Sequence, residues 1–152
     1  RPYWNAFLVA SAGTAFVIDT SGREWAAEPV GDVRAISNRT SIPGFDATHR
    51  HPRQPVERLV DPRWRASQRV LAERPVTVAA LQQHLRSHDT CGEPGWSVCM
   101  HVDGVEATTA SMIVALQPGS SPLVWALTGS PCRREYRSFE LGDAATIDFS
   151  DV

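Results

Sequence analysis

The chain has 152 residues, with 15 basic against 17 acidic side chains and a formal charge of -2. That length allows one domain with a real core, burying about 70% of the surface of its unfolded chain. The balanced charge supplies no field to hold a polyanion or an anionic membrane surface, which argues against nucleic acid and membrane as partners.

The first forty residues alternate and turn like a meander. NAFLVAS (5–11), TAFVIDT (14–20), REWAAEPV (23–30) and VRAISN (33–38) are separated by Ala12-Gly13, Ser21-Gly22 and Gly31-Asp32. Short spacing and turn-forming pairs predict an antiparallel sheet. Residues 40–60 hold Pro43, Gly44, Pro52 and Pro55 with little apolar periodicity and read as an irregular loop. Asp61-Pro62 then offers an N-cap with proline at the first helical position, predicting a helix to about Glu73. Thr77 caps a second helix, VAALQQHLRSH, whose Val78, Leu81 and Leu85 form one apolar stripe.

The last third returns to strands in WSVCMHV, TTASMIVAL, PLVWALTG and EYRSFEL, with a turn at Gln117-Pro118-Gly119-Ser120. Strands, then helices, then strands give an α+β pattern, with the whole of 1–152 as a single domain and helices covering one face of a mainly antiparallel sheet.

Cys91, Cys99 and Cys132 make an odd number, which argues against a disulfide framework and for a reducing, cytoplasmic setting. No apolar run approaches the roughly 20 residues of a membrane span. All fifteen basic residues are Arg, which reads as a composition bias rather than a binding stripe.

Four soft or borderline ligands, His88, Cys91, Cys99 and His101, lie close in sequence, but their spacing lacks the paired CxxC or HxxxH that makes a zinc signal specific. The expectation is therefore no metal and no cofactor, with Cys99 packed as a small apolar residue. A Cys99–His101 nucleophile pair is the competing reading, since residues two apart on a strand share a face. Burial of Cys99 would raise its pKa and leave it inert. Asn38, at the end of a strand, places an amide where its N–H groups can meet a developing oxyanion, although such a residue equally suits a turn. Arg65 and Arg69 share one helical face, and the plain reading of that face is solvation.

The stretch NAFLVASAGTAFVIDTSGREWAAEPVGDVRAISNRTSI resembles the corresponding part of the secernins and the related bacterial dipeptidases. LRSHD (85–89), SVCMH (97–101), TTASM (108–112) and TGSPC (128–132) follow in that family's order, so the resemblance spans about 3–141. Ser11, Thr14, Phe16 and Asp19 depart from the family pattern, where Asp, Glu, Trp and Glu are usual. The resemblance implies an N-terminal-nucleophile (Ntn) hydrolase fold, a four-layer αββα sandwich, in which an N-terminal Cys attacks the amide of a small peptide. It implies Asn38 at the oxyanion and Arg65 near the substrate carboxylate or the nucleophile. Family members carry an N-terminal half that opens on that Cys, so the nucleophile is expected outside this chain and the chain alone is expected to be inactive. Apolar strand faces would then be covered by that half, by a partner chain or by a second copy. An acylase of the penicillin-acyltransferase kind and a non-enzymatic, secernin-like regulatory protein are the alternatives.

Overall fold

The computed structural model describes residues 4–21, 24–36, 56–89, 97–102 and 106–142. Two compact units divide the chain, Arg1–Arg74 and Pro75–Val152. Both mix helix with antiparallel strand, as the α+β reading expects, but among the described residues the strands form three small sheets in place of one.

The first unit holds a meander of β1 (Trp4–Ala10), β2 (Ala15–Ser21) and β3 (Glu24–Pro29), paired in that order. The β1–β2 turn closes where the Ser11 N–H donates to the Thr14 carbonyl at 2.8 Å. Alternation decides which side chains are buried: Val17 and Asp19, two apart on β2, are buried, and Phe16 beside them is exposed. Phe7, Leu8, Val9 and Trp25 are exposed as well.

The sequence pattern extends this meander to a fourth strand over 33–38. Among the described residues 33–36 form none: β3 pairs only with β2, and a strand without a neighbour has no ladder to complete. Helix α1 (Val56–Ala72) begins before the expected Asp61 cap, so Pro62 lies inside it rather than at its first position. A proline there has no N–H for the ladder, and its local cap signal is overridden by helix on either side. Ala66 of α1 is buried.

The second unit opens with α2 (Val78–Leu85), capped as the sequence predicts: the Thr77 Oγ1 accepts from the Ala80 N–H at 3.1 Å. This helix stops three residues short of the expected end, at Arg86, whose N–H donates to the Gln82 carbonyl. Ser87 and His88 thereby leave the helix. The sheet β6 (Ala110–Ala115), β7 (Leu123–Thr128) and β8 (Arg137–Glu140) is antiparallel in sequence order, and α2 packs against β6. Gly119 takes a φ of 73° in the β6–β7 turn, a conformation that favours glycine. Ile113, Val124 and Leu127 are buried here. Met112 and Val114 remain exposed on β6, the apolar surface expected of this strand.

Of the expected strand WSVCMHV, Trp96 lies outside the described residues, and among 97–102 only β4 (His101–Val102) is strand, paired with β5 (Glu106–Ala107). Other hydrogen bonds engage the segment before it: the Ser97 hydroxyl donates to the Cys99 carbonyl at 2.6 Å, and the Cys99 N–H donates to the Ser87 carbonyl at 3.0 Å. Side-chain bonds of this kind compete with a strand ladder. Among the described residues no helix is long and apolar enough to cross a membrane.

A candidate metal centre of two histidines and two cysteines

Four segments of the second unit converge on one point. The early end of α2 delivers Ser87 and His88. The Cys99 N–H bond to Ser87 brings the 97–101 segment alongside. Met100 and Thr108 then exchange bonds: the Met100 N–H donates to the Thr108 Oγ1 at 3.0 Å, and the Thr108 N–H donates to the Met100 carbonyl at 2.7 Å. The Ser130 hydroxyl donates to the Thr108 carbonyl at 3.4 Å, and the Gly129 N–H donates to the Thr109 carbonyl at 2.6 Å.

Arg86 completes the frame from the other side. Its Nε donates to the Pro131 carbonyl at 3.1 Å, and one terminal nitrogen reaches the Arg134 carbonyl at 3.3 Å and the Glu135 carboxylate at 2.8 Å. The guanidinium carbon also stands 5.6 Å from the centre of the Tyr136 ring, within cation–π range. Pro131 is buried and Gly129 takes a φ of 87°, so the 128–134 turn has a defined shape and places Cys132 beside the 97–101 segment.

The ligating atoms of His88, Cys99, His101 and Cys132 all lie within 4.8 Å of one another. The two Nε2 atoms of His88 and His101 are 3.1 Å apart, and the Cys132 Sγ is 3.3 Å from the His101 Nε2. The imidazole rings stand edge-on to one another, at 89° between planes, so nitrogens rather than ring faces meet. Cys99 closes the group from the protein side, fully buried, while His88 and Cys132 are exposed.

Burial pushes the Cys99 thiol pKa up from 9.0, against a hydrogen bond from the Cys132 backbone that favours the thiolate. Cys99 is thus a protonated thiol near neutrality and a poor nucleophile, as the sequence reading expects of a buried cysteine. A thiol beside an imidazole is also the arrangement of a general-base pair, which Cys132 and His101 satisfy by distance. The presence of a second histidine and a second cysteine at the same point suits a shared cation better than a pair.

Sequence spacing singles out His88, Cys99 and His101 but puts Cys91 in the fourth place. The structure puts Cys132 beside the other three, and Cys91 lies outside the described residues. Cys132 carries no local ligand motif, and its distance of 31 residues from His101 hides it from any spacing rule. Asn38 also lies outside the described residues. Arg65 and Arg69 are both exposed on α1, in the first unit.

Compared with known proteins, the chain matches no family model and no solved structure.

Proposed function

We propose that this chain is the C-terminal portion of a cysteine-type Ntn amidohydrolase, a dipeptidase acting on small peptides, whose nucleophilic Cys lies outside residues 1–152. The reading rests on the resemblance to the secernins and bacterial dipeptidases. One observation supports it. The four short segments of that resemblance in the second unit, 85–89, 97–101, 108–112 and 128–132, are separated by intervening chain yet are joined through Cys99–Ser87, Met100–Thr108 and Ser130–Thr108 hydrogen bonds. Segments that a family holds in common and that meet in space form one functional or structural unit more readily than unrelated matches would.

On this reading the two three-stranded sheets and two helices are parts of an αββα sandwich. The terminal Cys sulfur attacks the scissile carbonyl while its own α-amino group takes the thiol proton and Asn38 donates an N–H to the oxyanion. The C–N bond then breaks with that proton passing to the leaving amine, and water hydrolyses the resulting thioester to release the acid and the free thiol. Arg65 is assigned a place near the substrate carboxylate or the nucleophile. Buried Cys99 has no part in the attack.

The test is hydrolysis of a panel of dipeptides by the longest reading frame that contains this sequence, beside the same protein with its N-terminal Cys changed to Ala. The reading predicts activity that disappears in the variant and falls about 100-fold or more in Asn38→Ala, the loss typical of one oxyanion donor. A folded full-length protein without activity, or activity indifferent to the terminal Cys, would overturn it. Turnover by the 152-residue chain alone would overturn the placement of the nucleophile.

A further inference from the structure

We propose that His88, Cys99, His101 and Cys132 are the four ligands of a structural zinc ion. The inference stands on geometry and donor chemistry and holds whether or not the protein hydrolyses peptides.

Tetrahedral zinc with bonds of about 2.0–2.1 Å to nitrogen and about 2.3 Å to sulfur has N···N edges of about 3.3 Å, N···S edges of about 3.6 Å and S···S edges of about 3.8 Å. The observed 3.1 Å between the two imidazole nitrogens and 3.3 Å between sulfur and nitrogen lie close to those edges, and no pair in the set exceeds 4.8 Å. The contacts are awkward to explain as hydrogen bonds alone. The His101 Nε2 meets both the His88 Nε2 and the Cys132 Sγ, yet it offers either one proton or one lone pair. A cation between all three resolves this, with each nitrogen giving its lone pair to the metal.

Charge and softness choose the ion. Two thiols lose their protons to solvent as they bind, so two thiolates and two neutral imidazoles leave a Zn²⁺ site with no net charge, which suits a fully buried Cys99. Thiolate donors select against magnesium and calcium. With all four positions filled by protein, none remains for water, the mark of a structural rather than a catalytic centre.

The surrounding structure gives such an ion a task. Among the described residues the second unit buries few apolar side chains, chiefly Cys99, Ile113, Val124 and Leu127. A small unit with a thin core is where a metal staple contributes most. The four ligands come from the end of α2, the 97–101 segment and the 128–134 turn, so one ion ties together at a single point pieces that are otherwise joined by contacts such as Arg86–Pro131 and Cys99–Ser87.

Metal stoichiometry of the full-length protein tests this. The protein is purified in a metal-free reductant, reconstituted with one equivalent of zinc chloride, desalted and assayed by inductively coupled plasma mass spectrometry. The expected result is about one zinc per chain, with His88→Ala, at an exposed position where folding is least at risk, losing most of its zinc on desalting. Cys91→Ser is expected to keep its zinc, because the four ligands complete the shell without it. Wild-type protein that retains no zinc after reconstitution would overturn the site whatever the variants do. Zinc retained in His88→Ala but lost in Cys91→Ser would overturn the ligand set. None of these outcomes depends on peptidase activity, so failure of one proposal is distinguishable from failure of the other.

Discussion

The Nε of Arg86 donates to the carbonyl of Pro131 at 3.1 Å, linking the C-cap of α2 to the turn that holds Cys132. The same guanidinium bonds the Arg134 carbonyl and the Glu135 carboxylate. One side chain therefore sets the position of the turn relative to the helix from which His88 departs.

Replacing Arg86 with Ala should lower unfolding stability by about 1.5–3 kcal/mol, the range for hydrogen bonds involving a charged group, with the exposed ion pair to Glu135 contributing least. Arg86→Lys should recover little of it, because an ammonium lacks the planar fork that reaches several acceptors at once. Urea denaturation of the three proteins checks both statements. Full stability in Arg86→Ala would show that the turn is held by other means.

Gly129 occupies left-handed backbone, with a φ of 87°. A Cβ there would come no closer than 3.6 Å to the Arg134 side chain, so space is available and the penalty is conformational. Gly129→Ala should cost about 1–2 kcal/mol, the usual preference against this region for a residue with a Cβ. Thermal unfolding of the variant measures it.

Met112 and Ile113 are neighbours on β6 with opposite fates: Ile113 is 8% exposed and Met112 is 65% exposed. Ile113→Ala should lose about 2–5 kcal/mol and Met112→Ala less than about 0.5 kcal/mol in the isolated chain. Equal losses at the two sites would mean that the register of β6 is wrong or that another chain covers its outer face.

Titration of Cys99 predicts a pH effect in the metal-stripped protein. Its folded pKa lies above the ordinary value of 9.0 because burial disfavours the thiolate. A raised folded pKa contributes stability that is fully present below the unfolded pKa and is lost as pH rises through the folded one. Stability should therefore fall as pH climbs above 9.0, and Cys99→Ala should flatten that part of the profile. At neutral pH iodoacetamide should alkylate exposed Cys132 well before Cys99, which peptide mapping would show.

Strands were the legible part of the fold, because alternation and turn residues act over a few positions. β1 and β2 lie within one residue of the stretches 5–11 and 14–20, and Thr77 caps α2 as its side chain predicts. Errors arose where distant partners decide the outcome. WSVCMHV has the composition of a strand, but among its described residues, 97–102, Ser87 and Ser97 take up the backbone at Cys99 and only His101–Val102 finds a ladder. The candidate site was half legible for the same reason. His88, Cys99 and His101 are close enough in sequence to be noticed, whereas Cys132 joins them only through the fold of the 128–134 turn.

Cobalt substitution tests the four-ligand centre most directly, because the spectrum reports geometry and donor type together. The metal-stripped, reduced full-length protein is titrated with cobalt(II) chloride and followed in the visible and near ultraviolet, then challenged with zinc. A tetrahedral His₂Cys₂ centre predicts intense visible d–d bands, a thiolate-to-cobalt charge-transfer band sized for two sulfurs, saturation at one equivalent, and loss of both signals on adding zinc. Weak octahedral bands with no charge transfer would contradict it, because Cys99 and Cys132 would then not be ligands.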